Sequence, residues 1–89
     1  MNTEQDIQIL IVEDQPICRM GIRSTLEHSS LEYQIMGEAG SVAEAIAILE
    51  QQAASIDIVL LDYMLPDGTG MEVITAVKRL CPDAKIVIF

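Results

Sequence analysis

The sequence predicts an α/β fold: a doubly wound parallel sheet with helices on both faces. Three observations carry this. Four short apolar runs alternate with three helical patterns, and the connections between them are short. The first and third runs are almost continuously apolar, as interior strands of a parallel sheet are. The second run alternates, as a half-exposed edge strand does. Together these give a strand order of 2-1-3-4.

The first strand is IQILIV, 7–12, and EDQP breaks it. A helix over 16–29 follows, with Pro16 in its first turn, where a missing N–H costs nothing. Cys18, Ile22 and Leu26 recur at i, i+4 and i+8 and form its inward stripe. YQIMGEA, 33–39, is the alternating second strand. Ser41 and Glu44 then form a capping-box pattern that starts a second helix, with Val42, Ala45, Ile46 and Leu49 on its apolar face. DIVLLD, 57–62, is the third strand. After a loop, a third helix leaves from Gly70 with Val73, Ile74, Val77 and Leu80 inward, and CPDA stops it. KIVIF, 85–89, is the fourth strand. It is apolar on both faces, as an interior strand would be, yet the order places it at an exposed edge. Natural sheets avoid such edges, so a second copy of the chain is expected to cover it.

Composition narrows the function. The 89 residues suffice for one domain. Five basic against fourteen acidic residues give a net charge of −9, which disfavours nucleic-acid and anionic-membrane surfaces and permits a cation site. The two cysteines, Cys18 and Cys81, stand far apart, and His28 is the only histidine, so a zinc site is not expected. Reduced thiols in a cytoplasmic protein are the simpler reading. MNTEQD is polar and acidic, unlike a signal peptide, and no apolar run approaches membrane-spanning length.

The chemistry concentrates at two strand ends. Strand one ends in Glu13-Asp14 and strand three in Asp62. Strands one and three are neighbours where the strand order reverses, which is where such sheets bind ligands. Three carboxylates there repel, and either a raised pKa or a divalent cation relieves the repulsion. Hard oxygen donors at an open site suit Mg²⁺. A metal beside a fixed carboxylate suggests phosphoryl transfer, with Asp62 as nucleophile and Glu13 and Asp14 holding the ion. Pro66 stiffens the following loop, Asp67-Gly68 marks a turn, and the loop can aim the Met64 carbonyl at the cation. The simpler alternatives are a strand-end charge at Asp62 and helix-dipole charges at Glu13 and Asp14. Gly68-Thr69-Gly70 lacks the rest of a phosphate loop. Arg19 and Arg23 read as a solvated helix face, and Met20, Met36 and Met71 as packing residues.

ILIVEDQP, VLLDYMLPDGTGMEVI and KIVIF resemble the receiver domain of two-component response regulators, and the resemblance covers essentially the whole chain. QPICRMGIRSTLE resembles the first helix of receivers joined to helix-turn-helix DNA-binding output domains. The resemblance implies a flavodoxin-like receiver fold. It puts the phosphoacceptor at Asp62. Asp14 becomes a direct Mg²⁺ ligand, Glu13 one acting through water, and Met64 the backbone-carbonyl ligand. It implies a sensor histidine kinase as phosphodonor and a non-enzymatic signalling role. The family's Ser or Thr after the fourth strand, its Lys on a fifth strand and its last two helices have no counterpart up to Phe89. The expectation is therefore a truncated receiver, residues 1–89, with impaired phosphotransfer. Two alternatives stand beside it. One is a self-associating or decoy fragment without chemistry. The other is an aspartyl-nucleophile phosphatase, disfavoured because EDQ stands where a D-x-D would.

Overall fold

The computed structural model describes residues 6–89, the Ala53 side chain excepted. The reading of MNTEQD rests on residues 1–5 and lies outside the described part. The strands are β1 (Ile7–Val12), β2 (Tyr33–Ala39), β3 (Ile58–Leu61), β4 (Met64–Leu65), β5 (Gly68–Thr69) and β6 (Lys85–Ile88). The helices are α1 (Pro16–Glu27), α2 (Val42–Gln52) and α3 (Gly70–Leu80), and a 3₁₀ turn spans Ala53–Ser55.

The main sheet runs β2-β1-β3-β6 with every pairing parallel, which is the expected 2-1-3-4 order. Helix α1 stops at Glu27, two residues short of the expected end, where the backbone N–H of His28 and Ser29 turn back onto the Ser24 and Leu26 carbonyls. The loop after Asp62 is more ordered than a turn signal suggests. Met64 pairs with Thr69 and Leu65 with Gly68 in a small antiparallel hairpin, β4–β5.

The two faces of the sheet are covered unequally. Leu10 and Val12 lie beside Val59 and Leu61 in register and point to one face. There they pack with Ala45 and Leu49 of α2 and Val73, Ala76 and Val77 of α3, forming a buried core. The opposite face carries Ile9 and Ile11, both buried, and α1. No residue of α1 is buried. Cys18, Ile22 and Leu26 do face inward as their spacing predicts, but with Leu60 and Phe89 they line an open groove of about 510 Å³. A stripe at helical spacing fixes which side of a helix seeks contact; the partner surface fixes whether contact closes. Met36 packs against the core, whereas Met20 and Met71 are exposed, contrary to the packing role expected of them.

At the edge, Val87 and Ile88 of β6 and the following Phe89 are 48%, 51% and 53% exposed. Its outer side pairs with no strand among the described residues.

Candidate metal centre

Backbone bonds tie the carboxyl end of β1 to β3 on one side and to β2 on the other. The Asp62 N–H donates to the Val12 carbonyl at 2.9 Å, and the Glu13 N–H donates to the Ala39 carbonyl at 2.9 Å. Parallel pairing thus delivers Asp62 beside the Glu13-Asp14 step. One carboxylate oxygen from each of Glu13, Asp14 and Asp62 lies within 4.8 Å of the other two. The structure therefore brings together the three acidic residues singled out in the sequence.

Their environments differ. Glu13 is buried at 3% exposure, while Asp14 and Asp62 are half-buried. Glu13 Oε2 accepts the Gln15 N–H at 3.0 Å, which holds the carboxyl over the start of α1. Burial raises the Glu13 pKa, the Gln15 bond offsets part of this, and the negative charges of Asp62 and Asp14 raise it further. The donor set is three oxygens of hard carboxylates opening to solvent, which suits a divalent cation of the Mg²⁺ or Ca²⁺ type.

Met64 lies on β4, and its N–H donates to Asp62 Oδ1 at 3.2 Å. This bond orients the Asp62 carboxylate. The hairpin closes against the start of α3, where the Thr69 N–H donates to Glu72 Oε2 at 3.2 Å. The Thr-x-x-Glu spacing of 69–72 could have signalled this cap. Gly70 is needed for space and not for a turn: a Cβ there would lie 3.1 Å from Tyr63 Cα and 3.2 Å from Leu61 Cδ2.

Three residues have roles that the sequence did not reveal. Arg19 is half-buried, and its Nε donates to the Glu13 carbonyl at 2.6 Å, so it braces the end of β1 and is not a solvated side chain. Arg23 pairs with Glu38 on β2. Asp67, expected only as a turn residue, accepts the N–H groups of Val42 and Ala43 at 2.8 and 3.1 Å. Those bonds hold its carboxyl below the usual carboxylate range.

At the start of α2, the Ser41 hydroxyl accepts the Glu44 N–H at 3.1 Å as expected. The reciprocal bond goes to Gly40, whose N–H donates to Glu44 Oε1 at 2.9 Å.

The chain is 37% identical over 82 residues to the DNA-binding transcriptional activator DevR/DosR of Mycobacterium tuberculosis, covering 92% of this chain and 36% of that protein. It is 33% identical over 82 residues to the response regulator VraR of Staphylococcus aureus, covering 92% of this chain and 38% of that protein. The chain thus spans well under half the length of these relatives. Among solved structures it superposes on the MaeR response regulator bound to beryllium trifluoride. There the TM-score is 0.80 at 30% identity, over 93% of this chain and 66% of that one. A LuxR-family two-component response regulator from Aurantimonas sp. SI85-9A1 gives a TM-score of 0.80 at 30% identity, over 96% of this chain and 59% of that one. Residues 9–89 match the response regulator receiver domain, and the chain belongs to that family.

Proposed function

We propose that this chain is a Mg²⁺-dependent phosphoacceptor in which Asp62 takes a phosphoryl group from a phosphohistidine of a sensor histidine kinase. The observation that carries the reading is the convergence of Glu13, Asp14 and Asp62 within 4.8 Å at the reversal point of the sheet. Octahedral Mg²⁺ with ligands about 2.1 Å away sets adjacent ligands about 3.0 Å apart and only opposite ones about 4.2 Å apart, so the carboxylates would draw together on binding the ion. Asp14 and Asp62 would hold the ion directly, Glu13 through water, and the Met64 carbonyl would complete the protein's share. Bound Mg²⁺ supplies positive charge against the oxygens of the transferring group.

In the transfer, an Asp62 carboxylate oxygen forms a bond to phosphorus as the phosphorus–nitrogen bond of the phosphohistidine breaks. The electron pair stays on the imidazole nitrogen. The Met64 N–H keeps the Asp62 side chain aimed out of the strand end. The chain then acts as a signalling module and not as an enzyme with turnover, in the cytoplasm where such kinases present their phosphohistidine.

The test is intact-mass measurement after incubation with acetyl phosphate and MgCl₂. One added phosphoryl group is expected in the native chain, lost in Asp62→Asn and in the presence of chelator. No added mass in the native chain would refute the reading and favour a non-catalytic decoy; phosphoester turnover would favour the phosphatase alternative.

A second reading concerns assembly and is favoured by the uncovered β6 edge. We propose that a second copy of this chain covers it, because an apolar edge that pairs with no strand on its outer side among the described residues seeks another strand. Sedimentation across a concentration series should show association. A monomer at the highest concentration would refute this.

A further inference from the structure

Asp67 joins two parts of the molecule that share no sequence neighbourhood. It stands at the tip of the β4–β5 hairpin, between Pro66 and Gly68. Its two carboxylate oxygens accept the first two N–H groups of α2, from Val42 at 2.8 Å and Ala43 at 3.1 Å. The next amides of α2 have other partners: Ser41 Oγ accepts from Glu44, and the Ser41 carbonyl accepts from Ala45. The helix therefore borrows from the hairpin what its own capping residue does not supply. An anionic carboxylate on a helix N-terminus is favoured both by the free N–H groups and by the helix dipole.

The hairpin base is also held, by the Gly70 N–H donating to the Tyr63 carbonyl at 2.5 Å. Leu65 is anchored in the core, and Thr69 leads into α3. The contact with α2 is close, since a Cβ on Gly68 would meet Val42 Cγ2 at 3.3 Å. Met64, at the open end of the hairpin, bonds the Asp62 carboxylate through its N–H. Tip and base are two residues apart on each strand, so a shift at the tip reaches Met64 through a ladder of only two residue pairs.

We infer that Asp67 is a positioning residue: by clamping the hairpin tip to α2 it fixes Met64, and through Met64 the carboxylate of Asp62, in the geometry that binds Mg²⁺. The inference rests on the phosphoacceptor reading. It also makes the clamp reciprocal, because ordering the hairpin by Mg²⁺ tightens the Asp67 bonds to α2.

Calorimetric titration with MgCl₂ of the native chain, Asp67→Ala, Asp67→Asn and Ser41→Ala tests it. Ser41→Ala removes α2's own cap and leaves the hairpin alone, so it reports what loss of helix stability does by itself. Supporting residues behind metal ligands typically change affinity by about 10- to 100-fold, and Asp67→Ala is expected near the lower end of that range, about tenfold. Asp67→Asn keeps one acceptor for Val42 and should fall between the native chain and Asp67→Ala. Ser41→Ala should bind as the native chain does. Amide exchange at Val42 and Ala43 should slow when Mg²⁺ is added to the native chain. Native affinity in Asp67→Ala, equal loss in Ser41→Ala, an Asp67→Asn weaker than Asp67→Ala, or unchanged exchange at both amides would overturn the clamp while the phosphoacceptor reading survived. A native chain that does not bind Mg²⁺ would overturn both.

Discussion

Replacing Asp62 by Asn in metal-free protein should stabilise the fold, although it removes the proposed reactive group. The carboxylate oxygens of Glu13, Asp14 and Asp62 lie within 4.8 Å of one another, and at an effective dielectric of ~20 each such pair of charges repels by about 3.5 kcal/mol. Asp14 and Asp62 are both half-exposed, so solvent screens much of this, and about 1–2 kcal/mol of net relief is expected. Asn keeps the side-chain oxygen that accepts the Met64 N–H, so no hydrogen bond is lost. For a domain of this size 1 kcal/mol corresponds to roughly 4–8 °C in Tm. Thermal unfolding in chelator at low salt should therefore show Asp62→Asn melting higher than the native chain. Part of the difference should persist near 0.1 M salt, where the Debye length of about 10 Å exceeds the separation. Added MgCl₂ should raise the native Tm more than that of the variant and shrink the gap. A variant that melts at or below the native temperature in chelator would refute the mutual repulsion on which the cation site depends.

The metal-free chain should lose stability as pH rises through the Glu13 window. Its folded pKa lies above the ordinary 4.5, so between the two values the folded state holds more protons than the unfolded state. Stability is then higher below that window and falls above it; urea titrations from pH 4.5 to 8 in chelator check this, and a rise would contradict it. Asp67 acts oppositely and at lower pH: its folded pKa lies below 3.8, so its contribution is present above 3.8 and is lost as pH falls below that through the lower folded value. Gly70→Ala should cost about 1–3 kcal/mol in urea unfolding, because the new methyl group meets Tyr63 backbone at 3.1 Å inside a buried site. Leu49→Ala should cost about 2–5 kcal/mol by the same measurement, since Leu49 is fully buried in the core between sheet and helices.

The sequence by itself determined the strand order and the acidic cluster. Nearly continuous apolar runs at 7–12 and 58–61 mark interior strands, and the alternation in 33–39 marks an edge. These are properties of burial recorded residue by residue. Once the order is known, the ends of β1 and β3 must meet, and with them Glu13, Asp14 and Asp62. The uncovered β6 edge follows from the same order. Only the tertiary structure decided how the cluster is supported. Nothing near Asp67 in the chain announces the amides of Val42 and Ala43; Glu13 is only six residues from Arg19, but which way the Arg19 side chain turns depends on how α1 leaves β1. The open groove beside α1 was equally hidden, because the spacing of Cys18, Ile22 and Leu26 says which side of the helix is apolar and not what lies opposite. Periodicity is local, so a sequence displays it. A hydrogen bond between segments 24 or more residues apart, or a gap between a helix and a sheet, exists only when the packed elements set a distance.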